Sequence, residues 1–125
     1  MPFLKIGKIK IKEINFAITL EEQRNGLMGC DFPQTCTIFP YKKAEVRKFW
    51  MHNVPAPLDI IFCRGNKILD IINGKPYCKS LIGSKEPSDL VIETYGGFCA
   101  YNEIQIGDDI KIKFGKDNLI KLLRQ

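Results

Sequence analysis

Residues 57–72 read PLDIIFCRGNKILDII, two short apolar runs joined by Arg64, Gly65 and Asn66. Gly and Asn tolerate the positive φ of a tight turn, so the pattern predicts a β-hairpin. Short strands of this kind recur along the chain. In KIGKIKIKEINFAIT apolar and polar residues alternate, with Ile9 and Ile11 on one face and Lys8, Lys10 and Lys12 on the other. The phase slips at Glu13 and resumes with Ile14, Phe16 and Ile18, which predicts a bulge or a turn between two strands. VRKFWMHN, DLVIETY and DDIKIKF read as further strands, and a short one is expected over residues 36–39.

Helical signals are few. Thr19 and Glu22 have the T-x-x-E spacing of a capping box, with Gly29 as the stop and Leu20, Leu27 and Met28 facing the core. Gly26 is a weak point inside so short a helix. GGFCAYNEI reads as a turn and short helix, and KDNLIKLLRQ as a helical tail behind Asp117 as cap. Residues 74–88 are polar and rich in Gly, Pro and Ser, a long loop of the kind that often carries function. Many short strands with few helices define a mainly β chain: a small β-barrel or sandwich with two or three short helices.

At 125 residues the chain fits one domain, 1–125, with 115–125 as the helical tail. The apolar share of 45% and charged share of 26% are those of a globular protein rather than a disordered one. No apolar run reaches the roughly 20 residues of a membrane span and no secretory h-region is present, so a cytoplasmic protein without a membrane partner is expected. The five Cys residues are odd in number, widely spaced and free of C-x-x-C pairs, which favours reduced thiols over a disulfide framework. The net charge of +5 is concentrated at the two ends, in Lys5, Lys8, Lys10 and Lys12 and in Lys111, Lys113, Lys116, Lys121 and Arg124. A basic patch therefore requires the ends to meet in space.

The motifs EEQRNGLMG, FWMHNVPAPLDIIF and DLVIETYGG with IQIGDDIKI resemble those of the bacterial and archaeal family known as domain of unknown function 192. That family's pattern is E-x-x-x-G-L-M, then F-x-M-K-N-T-x-x-P-L-D, a late Cys, and a strand ending in Gly before a final G-D. The resemblance spans residues 14–114, the family-like core, and its motif positions fall on Gly26, Leu27, Met28, Phe49, Met51, Asn53, Pro57, Leu58, Asp59, Cys78, Gly107 and Asp108. It implies a compact β-rich barrel decorated by short helices, but no agreed activity. His52 replaces a usual basic residue, Val54 a Thr, and Cys30 a frequent Arg, so if the family's ligand is anionic and met by those groups, its binding is expected to be altered or lost here. Heavy use of Ile, Lys and Asn with few Ala and Arg suits an AT-rich genome, and the motifs trimmed relative to the bacterial family, with no export signal, suit a bacteriophage-borne member.

The rarest residues gather in one place. The single Trp and single His stand at Trp50 and His52, followed by Asn53 and Asp59. In an extended segment Trp50 and His52 share one face, and Phe49, Met51 and Asn53 the other. The aromatic pair could stack a planar ligand at the rim, or simply be packed. Asp59 could cap a turn or stand at a barrel mouth. A Cys nucleophile would need the only imidazole; Cys78, in the polar loop, is the best placed, ahead of Cys30, while Cys36, Cys63 and Cys99 sit in apolar contexts.

No phosphate-binding loop, dinucleotide fingerprint, nucleophile elbow or zinc-ligand spacing occurs, so no cofactor or metal is implied. The Lys-faced strands are expected to guard sheet edges, and a nucleic-acid partner is disfavoured because no row of aromatics interleaves with the Lys residues. The expected function is binding of a small molecule or peptide through Trp50, His52, Asn53 and Asp59 with Cys78 nearby. A Cys/His enzyme and weak nucleic-acid binding through the terminal strands are the alternatives, and the oligomeric state is left open.

Overall fold

The computed structural model describes residues 1–29 and 36–125. Among the described residues, β1 (Phe3–Ile6), β2 (Ile9–Ile11) and β8 (Ile110–Lys113) form a three-stranded sheet in the order β2-β1-β8. The strands β3 (Ile14–Phe16), β4 (Cys36–Glu45), β5 (Leu58–Arg64), β6 (Lys67–Gly74) and β7 (Ser88–Tyr95) form a second sheet in the order β3-β4-β7-β5-β6. Three short helices, α1 (Leu20–Asn25), α2 (Phe98–Tyr101) and α3 (Lys116–Leu123), complete the chain. The two sheets pack face to face without closing, so the protein is a β-sandwich rather than a barrel.

The local signals act where the chain needs them. Gly65 and Asn66, at φ +57° and +65°, make the two-residue turn between β5 and β6. Gly7, at φ +58°, turns β1 back into β2, so the first Lys-rich stretch is a hairpin rather than one strand. The slip at Glu13 marks a change of sheet: β2 belongs to the smaller one, and β3 pairs in parallel with β4 in the larger.

Two apolar layers result. Between the sheets, Leu4, Ile6 and Ile110 meet Ile38, Ile61 and Ile92, and α2 closes one end with Phe98 and Cys99. The opposite face of the larger sheet presents Phe39, Ile60, Phe62 and Val91. That face is covered by segments that are not strands, carrying Met51, Val54, Leu27 and Met28.

Several expectations are corrected. The stretch VRKFWMHN makes only a single bridge, Phe49 to Ile82, because Phe49 and Met51 cross the second face of the larger sheet instead of joining its edge. β4 runs on past residue 39, since Pro40 falls where the ladder with β7 becomes irregular and a missing N–H is tolerated. Helix α1 ends at Gly26 rather than Gly29, and Leu20, at its first position, is 74% exposed instead of core-facing. Gly115 rather than Asp117 precedes α3, its N–H donating to Asn118 Oδ1 at 3.3 Å.

Candidate functional site

A cleft of about 380 Å³ opens on the second face of the larger sheet, between α1 with its following turn, the outer half of β4 and residues 46–54. Its walls are fixed by ordinary local chemistry. Thr19 Oγ1 accepts from the Glu22 N–H at 3.1 Å, and Glu22 Oε1 accepts from the N–H groups of Thr19 and Ile18, so the capping box sets the start of α1. The backbone hydrogen bond from Thr19, first among these contacts, helps to hold the Glu22 carboxyl down at about 2. Gly26 ends the helix at φ +47°, and the Gly29 N–H donates to the Asn53 carbonyl at 2.6 Å, tying the turn after α1 to the opposite wall.

At the base of the cleft lies Glu93. It occupies the central strand of the larger sheet, opposite Thr37 and Ile60, and follows Val91 on the second face. The residue is 5% exposed and lines the cleft. Burial pushes that carboxyl up to about 7, because removing water disfavours the charged form. Gly26 faces it across the cleft: a Cβ there would stand in ordinary contact, 3.6 Å from Glu93 Oε1 and 3.7 Å from Phe39 Cζ, so its φ of +47° rather than space calls for glycine.

Above the carboxyl the lining is aromatic and cationic. The Arg47 guanidinium stacks 3.5 Å over the Tyr41 ring, and its N–H groups donate to the carbonyls of Lys43 and Ser88. Burial pushes the Tyr41 phenol up to about 12, with Arg47 opposing and Glu93 adding to the shift. Phe49 packs edge-on against Phe39 and Phe62, while Trp50 lines the cleft and remains 50% exposed. Arg24 and Lys48 also line the cleft, and neither forms an ion pair among the described residues.

The sequence-derived candidates separate into two places. Trp50 and His52 form an outward pair, rings 4.8 Å apart and tilted 31°, and Asn53 Nδ2 lies 3.2 Å from His52 Nε2. Asn53 reaches this position through φ +56°, a left-handed conformation that Asn tolerates. Asp59 lies apart from them, 2% exposed. Its oxygens accept from Asn73 Nδ2 at 2.7 Å, the Gly97 N–H at 3.2 Å and the Cys99 N–H at 2.9 Å, so it anchors the start of α2.

Cys78 is half-buried against the second apolar layer, and its carbonyl accepts from the Met51 N–H at 3.3 Å. No hydrogen bond joins its thiol to His52 among the described residues. Burial raises the thiols of Cys36 and Cys99 to about 12 and that of Cys63 higher still. Cys30 lies outside the described residues. Among the described residues no group of three or more His, Cys, Asp or Glu side chains is placed to hold a metal ion, and no helix is long and apolar enough to cross a membrane.

Glu93, Tyr41 and Arg47 escaped the reading of the sequence. The available signal was phase: in DLVIETY, Glu93 shares a face with Val91 in a strand flanked by apolar residues on both sides. A carboxylate there has to be neutralised, paired or used.

A two-sheet β-sandwich with a cleft over one outer face defines the class, and comparison with known proteins narrows it. The model of the DUF192 family, described as Uncharacterized ACR, matches residues 4–112, and the chain belongs to this family. No curated protein matches the sequence significantly. A crystal structure of a protein of unknown function from Novosphingobium aromaticivorans DSM 12444 is similar, with a TM-score of 0.79 and 28% identity over 87% of this chain and 83% of that one. A candidate transcription regulator from Sinorhizobium meliloti 1021 shares the fold at a TM-score of 0.80, with 21% identity over 90% of this chain and 94% of that one.

Proposed function

We propose that the protein binds a small molecule in the cleft over Glu93. The observation that carries this reading is the placement of the Glu93 carboxyl, on a buried position of the central strand, at the base of an open cleft of about 380 Å³. A donor on a ligand seated in the cleft would find this carboxyl as its acceptor. Trp50 and Phe49 offer a surface for a planar part of the ligand, and Arg24 and Lys48 at the rim suit an anionic group. The cleft volume is that of a metabolite-sized molecule rather than a folded partner.

His52 and Asn53 continue the exposed ridge from Trp50 and would extend the contact outward. Asp59 holds α2, and Cys78 supports the Met51 backbone on the far side of the covering segment. A thermal-shift screen against polar aromatic and anionic metabolites tests the proposal. Hits are expected to raise the Tm of the native protein and to lose that effect in Trp50→Ala and Glu93→Gln. A screen without hits, or hits unaffected by both substitutions, would overturn it.

A further inference from the structure

We propose that the outer face of the three-stranded sheet docks the phosphodiester backbone of a nucleic acid. The two basic ends of the chain meet in this sheet: Lys5 on β1 stands opposite Lys10 on β2 and opposite Lys111 on β8. Every inward position of the three strands is Ile or Leu, and every outward position is Lys apart from Phe3. Edge protection accounts for Lys10, Lys111 and Lys113 on the outer strands. It does not account for Lys5, which lies on the central one.

Like charges directly opposite one another destabilise a sheet, and here only the Phe3 ring under Lys10 offsets them. None of Lys5, Lys10, Lys111 and Lys113 forms an ion pair among the described residues. The acids at the β1–β2 turn are engaged elsewhere, Asp109 with Lys67 at 2.6 Å and Asp108 with the Gln105 N–H at 2.9 Å. Neighbouring strands lie ~4.8 Å apart and alternate residues ~6.8 Å along a strand, so the four ammonium groups cover a patch about 10 Å wide, enough to span several phosphates.

The chemistry of the face selects the partner. A membrane surface would call for apolar side chains able to insert, but Phe3 is half-buried, and Lys10 Nζ sits 4.3 Å over its ring. No Arg, Asn or Gln stands among the outward strand residues to read base edges, so the contact is to phosphate and indifferent to sequence.

Fluorescence anisotropy of the full chain with a labelled mixed-sequence DNA duplex tests this. With four phosphate contacts, binding should weaken about 150-fold between about 50 and 200 mM salt, and in Lys5→Gln/Lys111→Gln only about 12-fold over the same range. The double variant should melt no lower than the native protein, since it removes repulsion, and Trp50→Ala should leave DNA binding unchanged. No retention of duplex at about 50 mM salt, an unchanged salt slope in the double variant, or preferential Lys5-dependent binding to phosphatidylserine vesicles would each overturn the proposal.

Discussion

Replacing Glu93 by Gln keeps the shape of the side chain and removes its charge, which isolates what burial does to this carboxyl. Burial raises it from an ordinary value of 4.5 to about 7. Below the lower value both folded and unfolded chains hold the proton, and the site contributes no pH dependence. Between the two values the unfolded chain releases a proton that the folded chain retains, so stability falls as pH rises through this window. Each tenfold change in proton affinity is worth about 1.4 kcal/mol, which puts the full cost near 3 kcal/mol once the pH exceeds about 7. For a chain of this length the unfolding entropy makes that roughly 10 °C in Tm.

Glu93→Gln should therefore gain about 3 kcal/mol over the native protein at about pH 8, and nearly nothing at about pH 4.5. Urea unfolding of both proteins at the two pH values gives the comparison, because every other titrating group cancels in the difference. An equal difference at both pH values would refute the reasoning, since it would mean that the carboxyl ionises as freely in the fold as in the unfolded chain.

Asp59→Ala should cost roughly 3 kcal/mol in urea unfolding, because it strands the buried N–H of Cys99 and removes the acceptor of the Gly97 N–H and of Asn73 Nδ2 at the start of α2; a loss below about 1 kcal/mol would show that α2 does not depend on this carboxylate. Among the described thiols, half-buried Cys78 should alkylate with iodoacetamide ahead of Cys36, Cys63 and Cys99, whose burial disfavours the thiolate. Peptide mass spectrometry over a time course reads the order directly, and early labelling of Cys63 would contradict it.

Features set by a few neighbouring residues were legible in the sequence. The Gly65–Asn66 turn and the Thr19–Glu22 capping box each depend on chemistry within four positions, and both form as read. The segment from Phe49 was legible only in part: Phe49 and Met51 turn inward and Trp50 outward as alternation predicts, but a turn closed by the Val54 N–H on the Met51 carbonyl puts Asn53 on the exposed side with His52 rather than on the inner face. The partition into two sheets was not, since β1 takes β8 as a neighbour from the far end of the chain and no local pattern encodes that pairing.

The lining of the candidate cleft was half visible. Trp50 was marked by its rarity, and the structure adds its exposure. Glu93 was hidden because its importance comes from what lies over it: Gly26, Phe39 and Tyr41 arrive from two other segments. Asp59, though framed by apolar residues in the same way, proved to be fully engaged by backbone and Asn73 donors. Sequence shows both carboxylates in apolar strands, and only their three-dimensional surroundings tell them apart.

The most direct measurement is a crystal structure of the protein soaked with a fragment library of polar aromatic and anionic compounds. The expected result is an ordered fragment in the cleft, with a polar atom within hydrogen-bond distance of the Glu93 carboxyl and a planar group against Trp50. A cleft that stays empty across the library while fragments bind elsewhere, or a Glu93 carboxyl already bonded to donors of the protein itself, would contradict it.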